Sequence, residues 1–572
     1  MRHASLLLAA VLLAACRGEE PQVNGLLITL DTTRADALSC YGNPEPTTPH
    51  LDALAADGVL FKGAHTVMAL TLPAHTSMLT GLAPLRHGIR DNGVFVLPQE
   101  AESVAERARA AGYDTAAFVS SVVLDDDFGL EQGFETYSVP SRRGEVERAH
   151  GAERPAAQTI DAVLDWLAGR DASRPFFLWV HLYDPHHPYA PPADFAGRFA
   201  TPYLDEVAAM DAEIGRLFAD LASRGLWDET FVLALADHGE AFGEHGEVTH
   251  GTFVYQPTLQ IPFLARWPRS APERRAGERS DEIVGAVDVA PTLVEALGLA
   301  PLGAIDGLSF ATRPLPAERG LYFESYYGWF SCNFSPLAGW LDARGKYIHS
   351  SAPELYDWRA DPGEQQDLAA RSGTDLGPYR DAIARLAEAP ALASASLGAE
   401  SEVLAEIQAL GYAGGGEGAG ELPHPLAPST LPSPRSQAYF FAAQARAQAL
   451  ASAGDRAGAA GVYEEVLASY ADNFHALEEL GTLYMQLARP ADAVRVLERL
   501  VQRAAPRGRP HQKLGLALVA AGEPEKAVPV LVRAVELTAG RPRYMDSLRE
   551  VLRQLGREDE MAALEARFPR GK

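Results

Sequence analysis

Residues 26–36 read Leu-Leu-Ile-Thr-Leu-Asp-Thr-Thr-Arg-Ala-Asp. The first five make a short apolar run that stops at a carboxylate, Asp31. Two more runs behave alike: Phe176 to Val180 ends at His181 and Asp184, and Phe231 to Ala236 ends at Asp237 and His238. Longer stretches with apolar residues at helical spacing intervene, at Thr48 to Asp57, Glu100 to Ala111, Ala157 to Ala168 and Tyr203 to Arg224. This alternation predicts an α/β domain built on a mostly parallel sheet flanked by helices. In open sheets of that type ligands bind beyond the carboxyl ends of the strands, so the three runs deliver polar residues to one rim.

A chain of 572 residues, 47% of them hydrophobic, suffices for one large catalytic domain and at least one smaller one. The formal net charge of -26 argues against a nucleic-acid partner, because binding phosphate backbones needs a basic face. It does not exclude a small anionic substrate, since a metal ion inverts the local field of a pocket. Cys40 and Cys332 cannot by themselves make a disulfide framework or a cysteine-rich metal site.

At the start, Arg2 and His3 precede an apolar stretch, Leu6 to Leu13, that is too short to span a bilayer. Leu13-Ala14-Ala15-Cys16 then resembles a bacterial lipobox, which implies that residues 1–16 end at a lipidated Cys16. After Cys16 no apolar run reaches transmembrane length. The expectation is a protein of the bacterial cell envelope, tethered to a membrane by lipid and facing the periplasm or exterior.

The α/β pattern occupies residues 24–372, and a helical extension follows over 373–411. Gly414-Gly415-Gly416 and then Pro423, Pro425, Pro428, Pro432 and Pro434 mark a linker over 412–435. Residues 436–572 are helical and periodic. Gly454, Ala488, Gly522 and Gly556 recur every 34 residues, and Ala459, Ala493, Ala527 and Met561 stand five positions after each. A 34-residue helix-pair period resembles the tetratricopeptide repeat, and the resemblance implies a groove for a protein partner.

The segment from Leu30 to Asp36, with Tyr41-Gly42 and Thr48-Pro49-His50-Leu51-Asp52, closely resembles the start of the sulfatase family within the alkaline-phosphatase superfamily. Thr71-Leu72-Pro73-Ala74-His75-Thr76-Ser77-Met78-Leu79-Thr80-Gly81 lies where that family has its nucleophile signature. Asp237-His238-Gly239-Glu240, Asp288 to Leu293 and Glu354-Leu355-Tyr356-Asp357 fall at later family landmarks. The resemblance covers about residues 24 to 370 and implies a metal-dependent hydrolase or transferase acting on sulfate or phosphate esters.

Asp31, Asp237 and His238 together would form a mixed oxygen and nitrogen site for a divalent cation. Thr32 and Asp184 are further candidates, Asp184 for a second metal. Thr71, shortly before Pro73, should present its hydroxyl at a helix N-terminus, where free N–H groups favour an oxyanion. A hydroxyl becomes a nucleophile at neutral pH when a metal or base lowers its pKa. By family position His186 and His250 supply substrate contacts or acids, and His75 takes the place of an anion-binding arginine. Asp36, His87 and Asn92 also match family positions without an assigned role, and His245 reads as a surface residue.

The chain departs from the sulfatase signature at its first residue, Thr71 instead of Cys or Ser. Formylglycine, made from Cys or Ser, is therefore not expected. Thr32 stands for a second Asp, and His238 for an Asn of the calcium-binding members. Loss of a carboxylate and gain of an imidazole favour zinc or manganese over calcium. The leading expectation is thus a Thr71-dependent hydrolase or phosphotransferase. Its alternatives are a sulfatase working without formylglycine and a degenerate lipoprotein scaffold whose repeats bind partners.

Overall fold

A computed structural model describes residues 23–93, 95–140, 153–397, 422–504, 506–538 and 540–568. Cys16, residues 398–411 of the extension and 412–421 of the linker lie outside them.

The catalytic half is built on an eight-stranded sheet. Its strands are β1 (Asn24–Leu30), β2 (Val59–His65), β4 (Asp114–Phe118), β5 (Thr136–Ser138), β6 (Phe176–Leu182), β7 (Thr230–Ala236), β8 (Phe263–Arg266) and β9 (Glu278–Gly285). A two-residue strand, β3 (Phe95–Val96), pairs instead with β14 (Ala395–Ser396). In space the large sheet runs β5-β4-β6-β1-β7-β8-β2-β9. Every pairing is parallel except those of β8, which runs antiparallel to β7 and β2.

The central strands β6, β1 and β7 are buried along their whole length, as expected when helices cover both faces of a parallel sheet. β1 lies between the other two, with Leu30 opposite both Leu182 and Ala236. That register alone brings Asp31 and Asp237 side by side. A second, antiparallel sheet of β10 (Leu321–Ser325), β11 (Leu337–Asp342), β12 (Gly345–His349) and β13 (Glu354–Tyr356) packs beside the first.

The helices lie where the periodicity puts them, with shifted ends. The expected helix at Glu100 begins only at Val104, because Ser103 caps it: its side chain accepts from Glu106 N–H while the Glu106 carboxylate accepts from Ser103 N–H.

The C-terminal repeats are paired helices, among them Tyr439–Ser452 with Arg456–Ser469, Phe474–Gln486 with Pro490–Arg503, and Gly508–Ala520 with Pro524–Leu537. Gly454, Ala488, Gly522 and Gly556 all adopt positive φ, so the 34-residue period marks a left-handed turn within each pair. Ala459, Ala493 and Ala527 are fully buried between helices. A Cβ on Gly481 would come within 2.7 Å of Leu497, and one on Gly515 within 2.5 Å of Leu531, so both glycines are dictated by helix approach.

The stack is docked on the catalytic half. Phe441 meets Phe253, and Phe440 and Tyr470 meet Phe334. Tyr470 Oη donates to the Asn333 carbonyl at 2.8 Å, and Arg507 Nη2 to that of Phe330 at 3.2 Å. The described part of the linker, 422–435, is held in the same way. Tyr326 Oη donates to Pro423 O, Ser335 N–H donates to Pro432 O, and Arg435 pairs with Asp367. Among the described residues no helix is long and apolar enough to cross a membrane.

Candidate active site

Asp31, Asp237 and His238 converge at the ends of β1 and β7, all fully buried, with ligand atoms within 4.8 Å of one another. Thr71 is the first residue of the helix Thr71–Thr80, and its Oγ lies 3.5 Å from Asp31 Oδ2. His238 donates from Nδ1 to the Gly239 carbonyl at 2.9 Å, which leaves the Nε2 lone pair directed inward. Asp31 Oδ1, Asp237 Oδ2 and His238 Nε2 have no hydrogen-bond partner among the described residues. Three unpaired buried acceptors facing each other are costly unless a cation sits among them, so the donor set fits a divalent ion. Burial pushes the Asp31 carboxyl up to about 8 and that of Asp237 up to about 7, Asp31 adding to the latter.

Thr32 is near this set but its hydroxyl is spent. Its Oγ donates to the Pro185 carbonyl, and only its backbone N–H reaches Asp237, at 3.2 Å. Its φ of +47° is rare for a β-branched residue and turns the chain sharply after Asp31. Asp184 is not in the cluster. Its Oδ2 accepts from Ala156 N–H at 2.8 Å, at the start of the helix Ala156–Gly169.

The helix N-terminus is a poorer anion cradle than its sequence promises. Pro73 is its third residue, not its first, and has no N–H, while Leu72 N–H is taken by Asn92 Oδ1 at 2.9 Å. That leaves the Thr71 N–H. His75 is no oxyanion donor either: it is fully buried, donates from Nδ1 to the Thr71 carbonyl at 2.8 Å, and burial lowers it to about 3, so it is neutral. Its unpartnered Nε2 presents a lone pair.

His181 is a site residue that the sequence reading placed at the rim without a role. Its Nδ1 accepts from Ser120 N–H at 3.2 Å, which fixes the proton on Nε2, and Nε2 donates to Asp31 Oδ2 at 3.2 Å. His75, His181 and Asp237 also bring ligand atoms within 4.8 Å, but this tautomer makes His181 a donor that orients Asp31, so the set does not fit a second ion.

Glu240 is the other omission. It follows the Asp237-His238 pair, is fully buried, accepts from His250 Nδ1 at 2.9 Å and from Tyr189 Oη at 3.1 Å. Burial alone would lower His250, but the Glu240 carboxylate outweighs it and raises the imidazolium to about 9. His250 is therefore a cation at neutral pH, with its ring centre 4.4 Å from that of His238. His186 stacks on Tyr183 at 4.2 Å and lies 5.7 Å from His250. Burial holds it well below its ordinary value and so neutral.

His87 and Asp36, at family positions, and His245, read as a surface residue, make local contacts. His87 accepts from Ile89 N–H and bonds Ser77, Asp36 pairs with Arg34, and His245 stacks on Tyr255. The sequence places His181 at the rim and Glu240 beside Asp237-His238 but gives neither a role, because the partners of each become neighbours only through strand order.

Comparison with known proteins finds relatives of both halves of the chain. Residues 23–299 match the family model described as Sulfatase, 243–376 the model N-sulphoglucosamine sulphohydrolase, C-terminal, and 450–514 a tetratricopeptide repeat model. The chain is 28% identical to arylsulfatase A of Homo sapiens over 64% of its own length and 86% of the relative's. It is 24% identical to the multifunctional alkaline phosphatase superfamily protein PehA of Trinickia caryophylli, over 60% of this chain and 91% of that one. Among solved structures, a protein in complex with its substrate D-glucosamine-2-N,6-O-disulfate superposes with a TM-score of 0.52 at 21% identity. That superposition covers 61% of this chain and 94% of the other and shows a common fold.

Proposed function

From the premise that the chain belongs to the sulfatase family through its N-terminal domain and carries tetratricopeptide repeats behind it, we propose a metal-dependent esterase using Thr71 as nucleophile. Its substrates are phosphate or sulfate esters, and phosphate is favoured because a threonine cannot furnish formylglycine. The observation that carries the reading is the set of unpaired buried acceptors Asp31 Oδ1, Asp237 Oδ2 and His238 Nε2, gathered where the Thr71 hydroxyl opens onto Asp31. A structural domain has no use for that cost, which weighs against a degenerate scaffold.

Asp31, Asp237 and His238 would hold the ion, with zinc or manganese preferred for the imidazole. When bound, the ion supplies Lewis-acid polarisation of the ester and lowers the pKa of the hydroxyl. The protein's own groups do the rest. His181 Nε2–H fixes the Asp31 carboxylate at the Thr71 hydroxyl. Thr71 N–H faces the developing oxyanion. The His250 imidazolium, held protonated by Glu240, donates a proton to the departing alkoxide, and the neutral imidazole then takes one from the water that releases the Thr71 ester. We place the protein at the cell envelope through a lipid on Cys16, with a protein partner for the part of the repeats not docked on the catalytic half.

The test is Thr71→Ala in the full-length protein loaded with zinc or manganese. Turnover of aryl phosphate mono- and diesters and of aryl sulfates should fall by about a thousandfold or more. Unchanged turnover removes Thr71 from the mechanism, and wild-type activity confined to sulfates would favour a sulfatase working without formylglycine.

A further inference from the structure

Asn92 accepts from Leu72 N–H at 2.9 Å and so fixes the first turn of the helix that begins at Thr71. The anchoring of Asn92 therefore bears on the nucleophile. Residues 88–93 belong to no helix or strand, so no ladder of backbone hydrogen bonds sets their place. Side chains anchor the segment instead. Asp91 Oδ1 accepts from Asn92 N–H at 2.9 Å, His87 Nδ1 accepts from Ile89 N–H at 3.0 Å, and between these two anchors stands Arg90.

Arg90 is buried, and its guanidinium is held from two directions. Nε and Nη2 donate to the two oxygens of Glu324, the second at 2.5 Å, in a bidentate fork. Tyr322 Oη donates to the same carboxylate. Glu324 is fully buried in β10, and its N–H donates at 2.9 Å to the carbonyl of Val67, in the loop that runs from β2 to Thr71. Against the face of the guanidinium lies the Tyr326 ring, 4.3 Å away, and Tyr326 Oη donates to Pro423 O at 2.8 Å. One cation thus ties together the loop before Thr71, the segment that holds Leu72 and the linker.

Stability alone does not call for such a pair. Taking two charges out of water costs about what their attraction returns, and apolar residues of similar volume serve a core equally well. What an apolar set lacks is direction, because the fork admits one orientation of the arginine and of the chain on either side of it. Among the described residues the hydrogen bonds of Arg90 go to Glu324, and none goes to the metal cluster or to Thr71. Any effect on the chemistry passes through Asn92.

We propose that Arg90 is a positioning residue for the nucleophile: clamped by Glu324 and backed by Tyr326, it sets Asn92, and through Asn92 the turn that aims Thr71 at the metal cluster. The inference rests on the esterase reading above, because it takes Thr71 as the group that reacts. It also brings the linker into the machinery, since Pro423 seats the ring against which Arg90 lies.

The experiment compares the full-length, zinc-loaded wild type with three variants. Arg90→Lys keeps the charge and loses the fork. A triple variant, Arg90→Met with Tyr322→Phe and Glu324→Met, replaces the network by apolar groups of similar size. Tyr326→Phe keeps the ring and releases Pro423. Each is assayed for aryl phosphate turnover, for melting temperature and for amide hydrogen exchange at Leu72. In the first two variants kcat should fall at least about tenfold with KM within about twofold of wild type, and exchange at Leu72 should quicken about tenfold or more. The triple variant should melt within a few degrees of the wild type. Tyr326→Phe should lower kcat by about two- to threefold. Wild-type kcat in Arg90→Lys overturns the proposal, as does unchanged exchange at Leu72 or a loss of kcat that only follows a loss of melting temperature. If the triple variant fails to fold, Arg90→Lys decides alone. Exchange at Leu72 is read without substrate, so a failure of the esterase reading shows in the Thr71→Ala assay and a failure of the positioning role shows here.

Discussion

The rim of the large sheet and the repeat stack answer to different constraints. At the rim, Asp31 Oδ1, His75 Nε2, Asp237 Oδ2 and His238 Nε2 are buried without hydrogen-bond partners among the described residues, and a threonine takes a left-handed backbone. In the stack, the buried alanines Ala459, Ala493 and Ala527 and the close approaches at Gly481 and Gly515 show residue identity set by volume. The first region gathers buried acceptors at a cost in stability, whereas the second is optimised for packing. Substitutions at the rim should therefore change chemistry more than stability, and those in the stack should do the reverse.

The sharpest test is Asp237→Asn. Turnover should fall by about a thousandfold or more and metal stoichiometry should drop, as read by elemental mass spectrometry. The metal-free variant should nevertheless melt higher than the metal-free wild type, because it removes one of two carboxylates that repel each other. A lower melting temperature would mean that the rim is not strained in the way described. Next comes Leu497→Ala, beneath Gly481. It should cost about 3 kcal/mol in urea unfolding while turnover under folding conditions stays within about twofold of wild type.

A smaller effect is expected of pH. Burial raises Glu206 from its ordinary 4.5 to about 8, with Asp184 and Glu153 adding to the rise and Ala190 N–H opposing it. Its folded pKa exceeds its unfolded one, so the stability it contributes is full below about 4.5 and is lost as pH rises through about 8. Thermal melts between about pH 5 and pH 9 should fall with pH, and Glu206→Gln should flatten that slope. Last, Ala488 stands at φ +57° where the other repeats have glycine. Ala488→Gly should raise stability by about 1 kcal/mol, and a loss would show that the turn is held by contacts rather than by conformation.

The metal cluster was legible because its members stand at the ends of apolar runs, and strand order then needs only β1 between β6 and β7 to gather them. The repeats were legible from their period. The anion cradle was misjudged because Asn92, twenty residues downstream, takes the Leu72 N–H. His181 and Glu240 were given no role because their meaning lies in partners, Ser120, Asp31 and His250, that only tertiary structure supplies. The pairing of Arg90 with Glu324 was invisible for the same reason: the two stand 234 residues apart with no common pattern. The proline-rich stretch reads as a tether by composition, yet over 422–435 it lies bonded along the catalytic half.

The docking of the stack has a mechanical consequence. The helix Tyr327–Cys332, gripped by the repeats through Phe330 and the following Asn333, leans its Tyr327 ring against the backbone of Gly251, next to His250. The same face of Gly251 is turned toward Leu70, the residue before Thr71, so that a Cβ there would meet both side chains. The repeats thus act as a buttress for the wall that carries Thr71 and His250. In a stack whose units are supported only by their neighbours, stiffness at that wall is borrowed from the whole array, so removing whole repeats, unlike a single substitution within a folded stack, should loosen the wall by degrees.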